Sequence, residues 1–320
     1  MATLVTGAGL IGTAFARNAI ARGEEVIFVD PEQRAGYLNF RLGDAGWRLV
    51  RADVRNLPAL IETMQRYKVG TVVHTAGLIG GKVQQSLSNG FDINLGGTRN
   101  VAEAVRLTGV RRLVHLSTMG VYDSRRATTA NVPEDFPRGA TRGYGNYKAA
   151  KEMILEAYAD EYKFELLILR PANVYGVGHF FAGSSGGMKM QELLEAAMEG
   201  RIARVSSAET MDNEYIYEKD IGRIVEIAAT TPMPSEYIFN AGNGYVTRFE
   251  DVTAAVRELF PTLKVEIEAG KPPKSKAHAM DISRARALLG WQPEYTIAAG
   301  YADYLNELQR ARQRASSITS

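Results

Sequence analysis

Tyr144 and Lys148 carry the side chains in this 320-residue chain best suited to moving a proton. In Tyr144-Gly145-Asn146-Tyr147-Lys148 they stand at i and i+4, so a helix would stack them on one face. A phenol with a pKa of about 10 is a poor base at neutral pH. A cation one turn away stabilises the phenolate and brings proton transfer within reach. Tyr147 and Lys151 have the same spacing, so helical geometry alone leaves both pairs open.

A second constellation lies near the N-terminus. Gly7-Ala8-Gly9-Leu10-Ile11-Gly12 reads G-x-G-x-x-G between a predicted strand and a predicted helix. There Gly7 allows the tight turn, Gly9 lets main-chain amides approach a pyrophosphate, and Gly12 permits close helix–strand packing. The helix start through Leu10 and Ile11 offers N–H groups and partial positive charge to phosphates. Asp30 closes the next strand, where a carboxylate accepts ribose hydroxyls and repels a 2′-phosphate. The expected cofactor is therefore NAD, with Arg34 the one nearby feature suited to the phosphorylated form.

These residues need a scaffold, and apolar periodicity supplies one. It predicts strands over 3–6, 25–29, 48–52, 71–74, 112–116 and 166–169. Amphipathic helices are predicted between them, over 10–22, 57–67, 96–108 and 144–162. Alternation of this kind gives a doubly wound, Rossmann-type parallel sheet of the α/β class. The expected organisation is a dinucleotide-binding domain over 1–170 that includes Tyr144 and Lys148. A smaller α/β lobe over 171–320 would bind substrate, with some segments returning to the main sheet. In the lobe, helices are predicted near 190–199, 249–259, 282–289 and 298–312, with a strand near 237–240. Glycines at 176, 178, 183, 186 and 187 predict a mobile substrate-side lid over 176–187.

Composition narrows the function classes. The absence of cysteine excludes disulfides, thiolate nucleophiles and cysteine-based metal centres. Arg310, Arg312 and Arg314 account for the small net charge of +2, and the remaining body is near neutral. That argues against a nucleic-acid footprint. Met1-Ala2-Thr3-Leu4-Val5-Thr6 has no basic leader, and no apolar run approaches the roughly 18 residues of a spanning helix. The expectation is a cytoplasmic protein away from the membrane. His74, His115, His179 and His278 lack paired metal spacing, so no metal is expected. His74 and His115 end strands and read as packed side chains.

Several segments in order along the chain resemble one family. They are Val5 through Gly12, Val73-His74-Thr75-Ala76-Gly77, Asn94-Leu95-Gly96-Gly97-Thr98, and Leu116-Ser117-Thr118-Met119-Gly120-Val121-Tyr122. They continue with Tyr144 to Lys148, with Leu169-Arg170-Pro171-Ala172-Asn173-Val174-Tyr175-Gly176, and with Asp281 through Leu289-Gly290-Trp291-Gln292-Pro293. The set resembles the extended short-chain dehydrogenase/reductase family, also called the NAD-dependent epimerase/dehydratase family.

The resemblance assigns catalysis to Tyr144 and Lys148 rather than to Tyr147 and Lys151. It places the catalytic hydroxyl at Thr118, with Ser117 the neighbouring candidate that also touches cofactor. It implies Asp53 and Val54 at the adenine, Ala76 and Gly77 along the cofactor, and Asn94 steadying the helix beneath. Pro171, Asn173 and Val174 fall at the nicotinamide end, where the substrate wall begins. Thr118, Asn173, His179, Ser184 and Ser185 are the candidate substrate contacts. A homodimer is implied, through a four-helix bundle from 91–108 and 144–162.

Two departures from the family pattern stand out. Its usual glycine turn carries one more residue between the first two glycines. Many members acting on nucleotide sugars also have an Arg just before the segment matching Glu214-Tyr215-Ile216-Tyr217-Glu218-Lys219-Asp220, where this chain has Met211-Asp212-Asn213. A bidentate phosphate donor is missing there, and Asp212 and Glu214 would repel a diphosphate. Arg201, Arg204 and Arg248 are the alternative cations. The expected activity is hydride transfer at a secondary alcohol or ketone of a sugar-like substrate, in an epimerase or dehydratase that reduces its cofactor transiently. The alternatives are a net dehydrogenase of a smaller hydroxy compound and, more distantly, a non-catalytic NAD sensor.

Two motifs carry no chemistry on this reading. Gly183-Ser184-Ser185-Gly186-Gly187 fits G-x-S-x-G but lacks the apolar strand that a nucleophile elbow requires. Gly80-Gly81-Lys82 lacks the remainder of an ATP-binding loop.

Overall fold

The computed structural model describes residues 1–127, 131–139, 143–178, 185–207, 210, 212–270 and 278–318, and their side chains except at 185 and 311–318. The chain begins β1 (Ala2–Thr6), α1 (Leu10–Ala21), β2 (Val26–Asp30), α2 (Ala35–Leu42), β3 (Trp47–Arg51), α3 (Leu57–Arg66) and β4 (Val69–His74). Short α4 (Gly81–Gln85) and α5 (Leu87–Gly90) lead through a π-helical turn at Phe91–Gly96 into α6 (Gly97–Thr108). Then come β5 (Arg112–Leu116), α7 (Gly143–Tyr162) and β6 (Glu165–Pro171). The remainder is β7 (Asn173–Tyr175), α8 (Ser185–Glu199), β8 (Ala203–Ser206), β9 (Tyr215–Tyr217), α9 (Glu218–Thr230), β10 (Ile238–Ala241), α10 (Phe249–Leu259), β11 (Val265–Glu268), α11 (Ser283–Leu289) and α12 (Ile297–Ile318).

Among the described residues, seven strands form one parallel sheet in the order β10-β6-β5-β4-β1-β2-β3. The chain runs outward from β1 to β3, then restarts on the other side at β4. That reversal opens a crevice beyond the carboxyl ends of β1 and β4, the place where such sheets hold ligands. Helices cover both faces, and β1, β2 and β5 are buried along their whole length. Phe15 of α1 and Ile221, Ile224 and Val225 of α9 share one core with Val5, Phe28, Val114 and Leu167. Leu60, Met64, Val101, Val105 and Leu155 share the other with Leu4, Val72, Leu113 and Ile168.

The later segments build a third core from Leu193, Leu194, Phe249, Val252 and a group of tyrosines, Tyr175, Tyr217, Tyr301 and Tyr304. Two small parallel pairs, β7 with β9 and β8 with β11, frame it. The strand expected near 237–240 returns to the main sheet as β10 beside β6.

The structure adds elements that periodicity did not predict. One is helix α9, which opens on the charged residues Glu218, Lys219 and Asp220. Its acids are buried all the same. Glu218 takes Arg41 Nη2 at 2.6 Å, and Asp220 accepts the N–H groups of Glu294 and Tyr295 at 2.9 and 3.1 Å. Strands β7 and β9 are three residues each, too short for alternation to register. The expected lid over 176–187 also needs correcting at its end, because α8 begins at Ser185. Burial of Met190, Leu193 and Leu194 favours extending that helix despite its two early glycines.

Candidate active site

Helix α7 carries Tyr144 in its first turn and Lys148 in its second. A buried polar lock fixes this helix to the sheet. Glu152 receives Arg170 of β6 through two bonds of 3.0 and 2.8 Å. Arg170 also donates to the Tyr122 hydroxyl and the Glu134 carbonyl. Such bidentate charge-assisted pairs are geometrically selective, so α7 has one seating on β6.

Thr118 lies in the turn after β5, close enough to the Tyr144 hydroxyl to favour its phenolate. Its own oxygen accepts the Gly120 N–H at 3.2 Å. Lys148 Nζ donates to the Leu116 carbonyl at 2.6 Å and lies 6.0 Å from the Tyr144 ring centre. Burial disfavours both charged forms. It pushes the Tyr144 phenol up to about 12, against a lowering from Thr118. It brings the Lys148 amine down to about 8, opposed by Glu152.

The two Tyr/Lys pairs part company in the structure. Tyr147 turns to the Leu87 carbonyl at 2.8 Å, and Lys151 to the Ala76 carbonyl at 2.9 Å. Ser117 turns its side chain toward Glu152. Its hydroxyl donates to Glu152 Oε1 beneath the site, because successive residues at a strand end face opposite sides. Thr118, not Ser117, therefore meets Tyr144.

The glycine turn sits at the crevice. Gly7 has φ of +90°, and a Cβ on Gly12 would lie 2.7 Å from the Gly7 carbonyl and 2.9 Å from Val5 Cγ1. Only hydrogen fits at Gly12. Above Gly9 the space is open, with nothing within 4 Å of where a Cβ would stand. No side chain caps α1 at Gly9, which leaves the first-turn N–H groups at Leu10 and Ile11 for another acceptor. Asp30 accepts the Ala8 and Glu32 N–H groups at 2.8 and 2.9 Å. A carboxylate so placed keeps lone pairs for further donors. Arg34 Nε stands 3.5 Å from Asp30 and its Nη2 donates to Glu32. Uncapped amides for phosphate and a carboxylate for hydroxyls together fit NAD.

Arg55 holds Asp53 through its main-chain N–H and guanidinium, keeping that carboxyl below its ordinary range. Val54 is buried against Gly97. Thr75 donates to the Thr6 carbonyl at 2.6 Å, and Ala76 N–H donates to the Thr6 hydroxyl at 3.3 Å. Asn94 clamps Leu78 from both sides, accepting its N–H at 2.8 Å and donating to its carbonyl at 3.2 Å. Pro171 ends β6, and Val174 is buried in β7. The Asn173 side chain donates to the Glu214 carbonyl at 3.2 Å and reaches Asn213 at 3.4 Å. His179 and Ser184 lie outside the described residues, as does the Ser185 side chain.

His74 and His115 are packed, as expected. His74 is held between the Thr6 and Thr98 hydroxyls at 2.7 and 3.0 Å, and His115 stacks on it. Of the alternative cations, Arg201 pairs with Glu192 and Glu199, Arg204 with Glu266, and Arg248 with Asp251. Asp212 accepts the Phe249 N–H at 3.3 Å, and Asn213 exchanges main-chain bonds with Thr247. One residue escaped the sequence reading because its helix did. Tyr37 of α2 donates to the Val177 carbonyl at 3.1 Å and meets the Thr13 hydroxyl at 3.2 Å, tying the glycine-turn helix to the substrate-side segment.

A model of the NAD dependent epimerase/dehydratase family matches residues 3–242. The UDP-glucose 4-epimerase of Mycolicibacterium smegmatis is 30% identical, over 94% of this chain and 96% of its own length. The dTDP-glucose 4,6-dehydratase of Xanthomonas campestris pv. campestris is 27% identical, over 94% of this chain and 92% of its own. The Thermus thermophilus UDP-glucose 4-epimerase complex with NAD superposes with TM-score 0.81 at 25% identity, covering 97% of this chain and 99% of that one. A Stenotrophomonas maltophila UDP-glucose-4-epimerase structure shares the fold at TM-score 0.85 and 23% identity, covering 98% and 99%.

Proposed function

The chain belongs to the NAD dependent epimerase/dehydratase family, and from that premise we propose that it oxidises and re-reduces a sugar-derived substrate within one turnover, as an epimerase or dehydratase. The observation that carries this reading is the buried Lys148 amine 6.0 Å from the centre of the Tyr144 ring, with Thr118 beside the phenol.

The glycine turn from Gly7 to Gly12 holds the pyrophosphate of NAD, Asp30 the adenosine ribose, and Asp53 and Val54 the adenine. Ala76 and Gly77 form the wall, with Asn94 behind them. Pro171, Asn173 and Val174 bound the nicotinamide end. NAD held there would supply the hydride acceptor for the substrate carbon and the donor that returns it. Tyr144 takes the hydroxyl proton as the carbon is oxidised and gives it back on reduction. Thr118 donates to the reacting oxygen and holds the phenol in line. Lys148 keeps positive charge near the phenolate and reaches the ribose.

The test is incubation with UDP- and dTDP-linked hexoses, followed by chromatographic identification of epimers or dehydrated products. Conversion without net NADH supports the reading; no conversion of any of them counts against it. A second reading, net oxidation of a smaller hydroxy compound, draws on the ion pairs that engage Arg201, Arg204 and Arg248. Accumulating NADH absorbance would mark that outcome.

The reading includes a homodimer in the cytoplasm. Leu87, Phe91 and Met153 are each more than half exposed and, with Leu107 and Tyr162, lie on α5, the π-helical turn, α6 and α7. Among the described residues no helix is long and apolar enough to cross a membrane.

A further inference from the structure

Lys151 is a fully buried lysine that the catalytic steps do not use. Among the described residues no carboxylate pairs with it. Its neighbour Glu152 is committed to Arg170, Arg138 and Ser117. Burying an amine without a counter-charge opposes folding, so packing alone does not explain its presence.

Its position does explain it. The loop from Thr75 to Leu78 forms one wall of the crevice, and three elements hold it. Thr6 of β1 holds Thr75 and Ala76 N–H, and Asn94 of the π-helical turn holds Leu78. The third hold is Lys151 Nζ, 2.9 Å from the Ala76 carbonyl. The amine lies so close under the loop that a Cβ on Gly77 would come within 3.3 Å of it and 2.5 Å of Asn94 Oδ1. This third hold comes from α7, the helix that carries Tyr144 and Lys148.

We propose that Lys151 is a positioning residue for NAD: its amine ties the Ala76–Gly77 wall to the catalytic helix and so sets the distance between the cofactor wall and Tyr144. The inference rests on the reading that this wall lines NAD. The titratable groups facing Lys151 are Lys148 on its own helix, His74 on β4 and His115 on β5. Burial, then repulsion from Lys148, holds the amine well below its ordinary 10.5.

The sign of its stability effect follows. The unfolded chain binds a proton at Lys151 that the folded chain releases, so stability rises with pH from the depressed value toward 10.5. Lys151→Met removes this slope. The experiment is NAD titration by calorimetry, with thermal melts of the NAD-free proteins between pH 7 and 10, for the parent, Lys151→Met and Lys151→Gln. The expected result is NAD affinity about tenfold weaker in Lys151→Met, the size of one lost hydrogen bond, with partial recovery in Lys151→Gln. The Tm of Lys151→Met relative to the parent should be highest at pH 7 and decline toward pH 10. Parent-like NAD affinity in either folded variant would overturn the proposal; a parent that binds no NAD would instead overturn the cofactor reading beneath it. If Lys151→Met does not fold, Lys151→Gln decides alone: parent-level or uniformly destabilised binding counts against positioning, and weakened binding in a stable protein supports it.

Discussion

Lys148 Nζ lies 6.0 Å from the centre of the Tyr144 ring while donating to the Leu116 carbonyl at the end of β5. One contact thus places the charge beside the phenol, and the other fixes it to the sheet. The arrangement has little tolerance for a slipped helix, and the Glu152–Arg170 lock provides that constraint from below.

Tyr144→Phe removes the proton carrier and leaves the ring's packing. Turnover should fall about 10²–10⁴-fold, the usual worth of a positioned acid–base group. NAD affinity should stay within about twofold, because the phenol is not among the groups assigned to phosphate or adenine. Steady-state kinetics beside a binding titration checks both; retained turnover would remove Tyr144 from the mechanism.

The pH profile should carry the signature of Lys148. Its amine is held at about 8 by burial, so it is charged below that pH and neutral above it. Rate should therefore fall on the alkaline side of about pH 8, approaching tenfold per pH unit. Lys148→Met should lose most turnover and show no such limb. A parent rate that stays flat to pH 10 would contradict the assigned role.

Gly12→Val places carbon where the Gly7 carbonyl and Val5 already stand. The turn must open, at a cost of about 1–3 kcal/mol for an overpacked site. NAD binding should weaken at least tenfold in the fraction that folds. Circular dichroism and calorimetry on one sample separate the two effects.

Much of this was legible in the sequence, for identifiable reasons. Buried parallel strands are mostly apolar, and Gly7 through Gly12 has a demanding geometry that few other residues satisfy. Thus β1, α1, β5 and α7 fall within a residue or two of expectation. Tertiary contacts hid the rest. Helix α9 begins with acids whose burial depends on Arg41 and on main-chain N–H groups more than seventy residues further on. Spacing could not separate Tyr144/Lys148 from Tyr147/Lys151, because only β5 and α5 show which side of α7 faces the crevice. Nor could it assign the Ser117 hydroxyl, whose partner Glu152 comes from a different element.

The exposed Met153 and Phe91 offer a test of the dimer. Met153→Glu should shift the protein from a two-chain to a one-chain mass in solution, measured by light scattering, while NAD binding persists. A parent that is already a single chain at micromolar concentration would contradict the dimer.

The proposed cycle requires that this chain hold NAD through repeated turnovers. Denaturing freshly purified protein and identifying the released nucleotide by mass spectrometry tests it directly. The predicted result is NAD at about one molecule per chain. Protein that releases none, and binds none when NAD is added, would contradict the account.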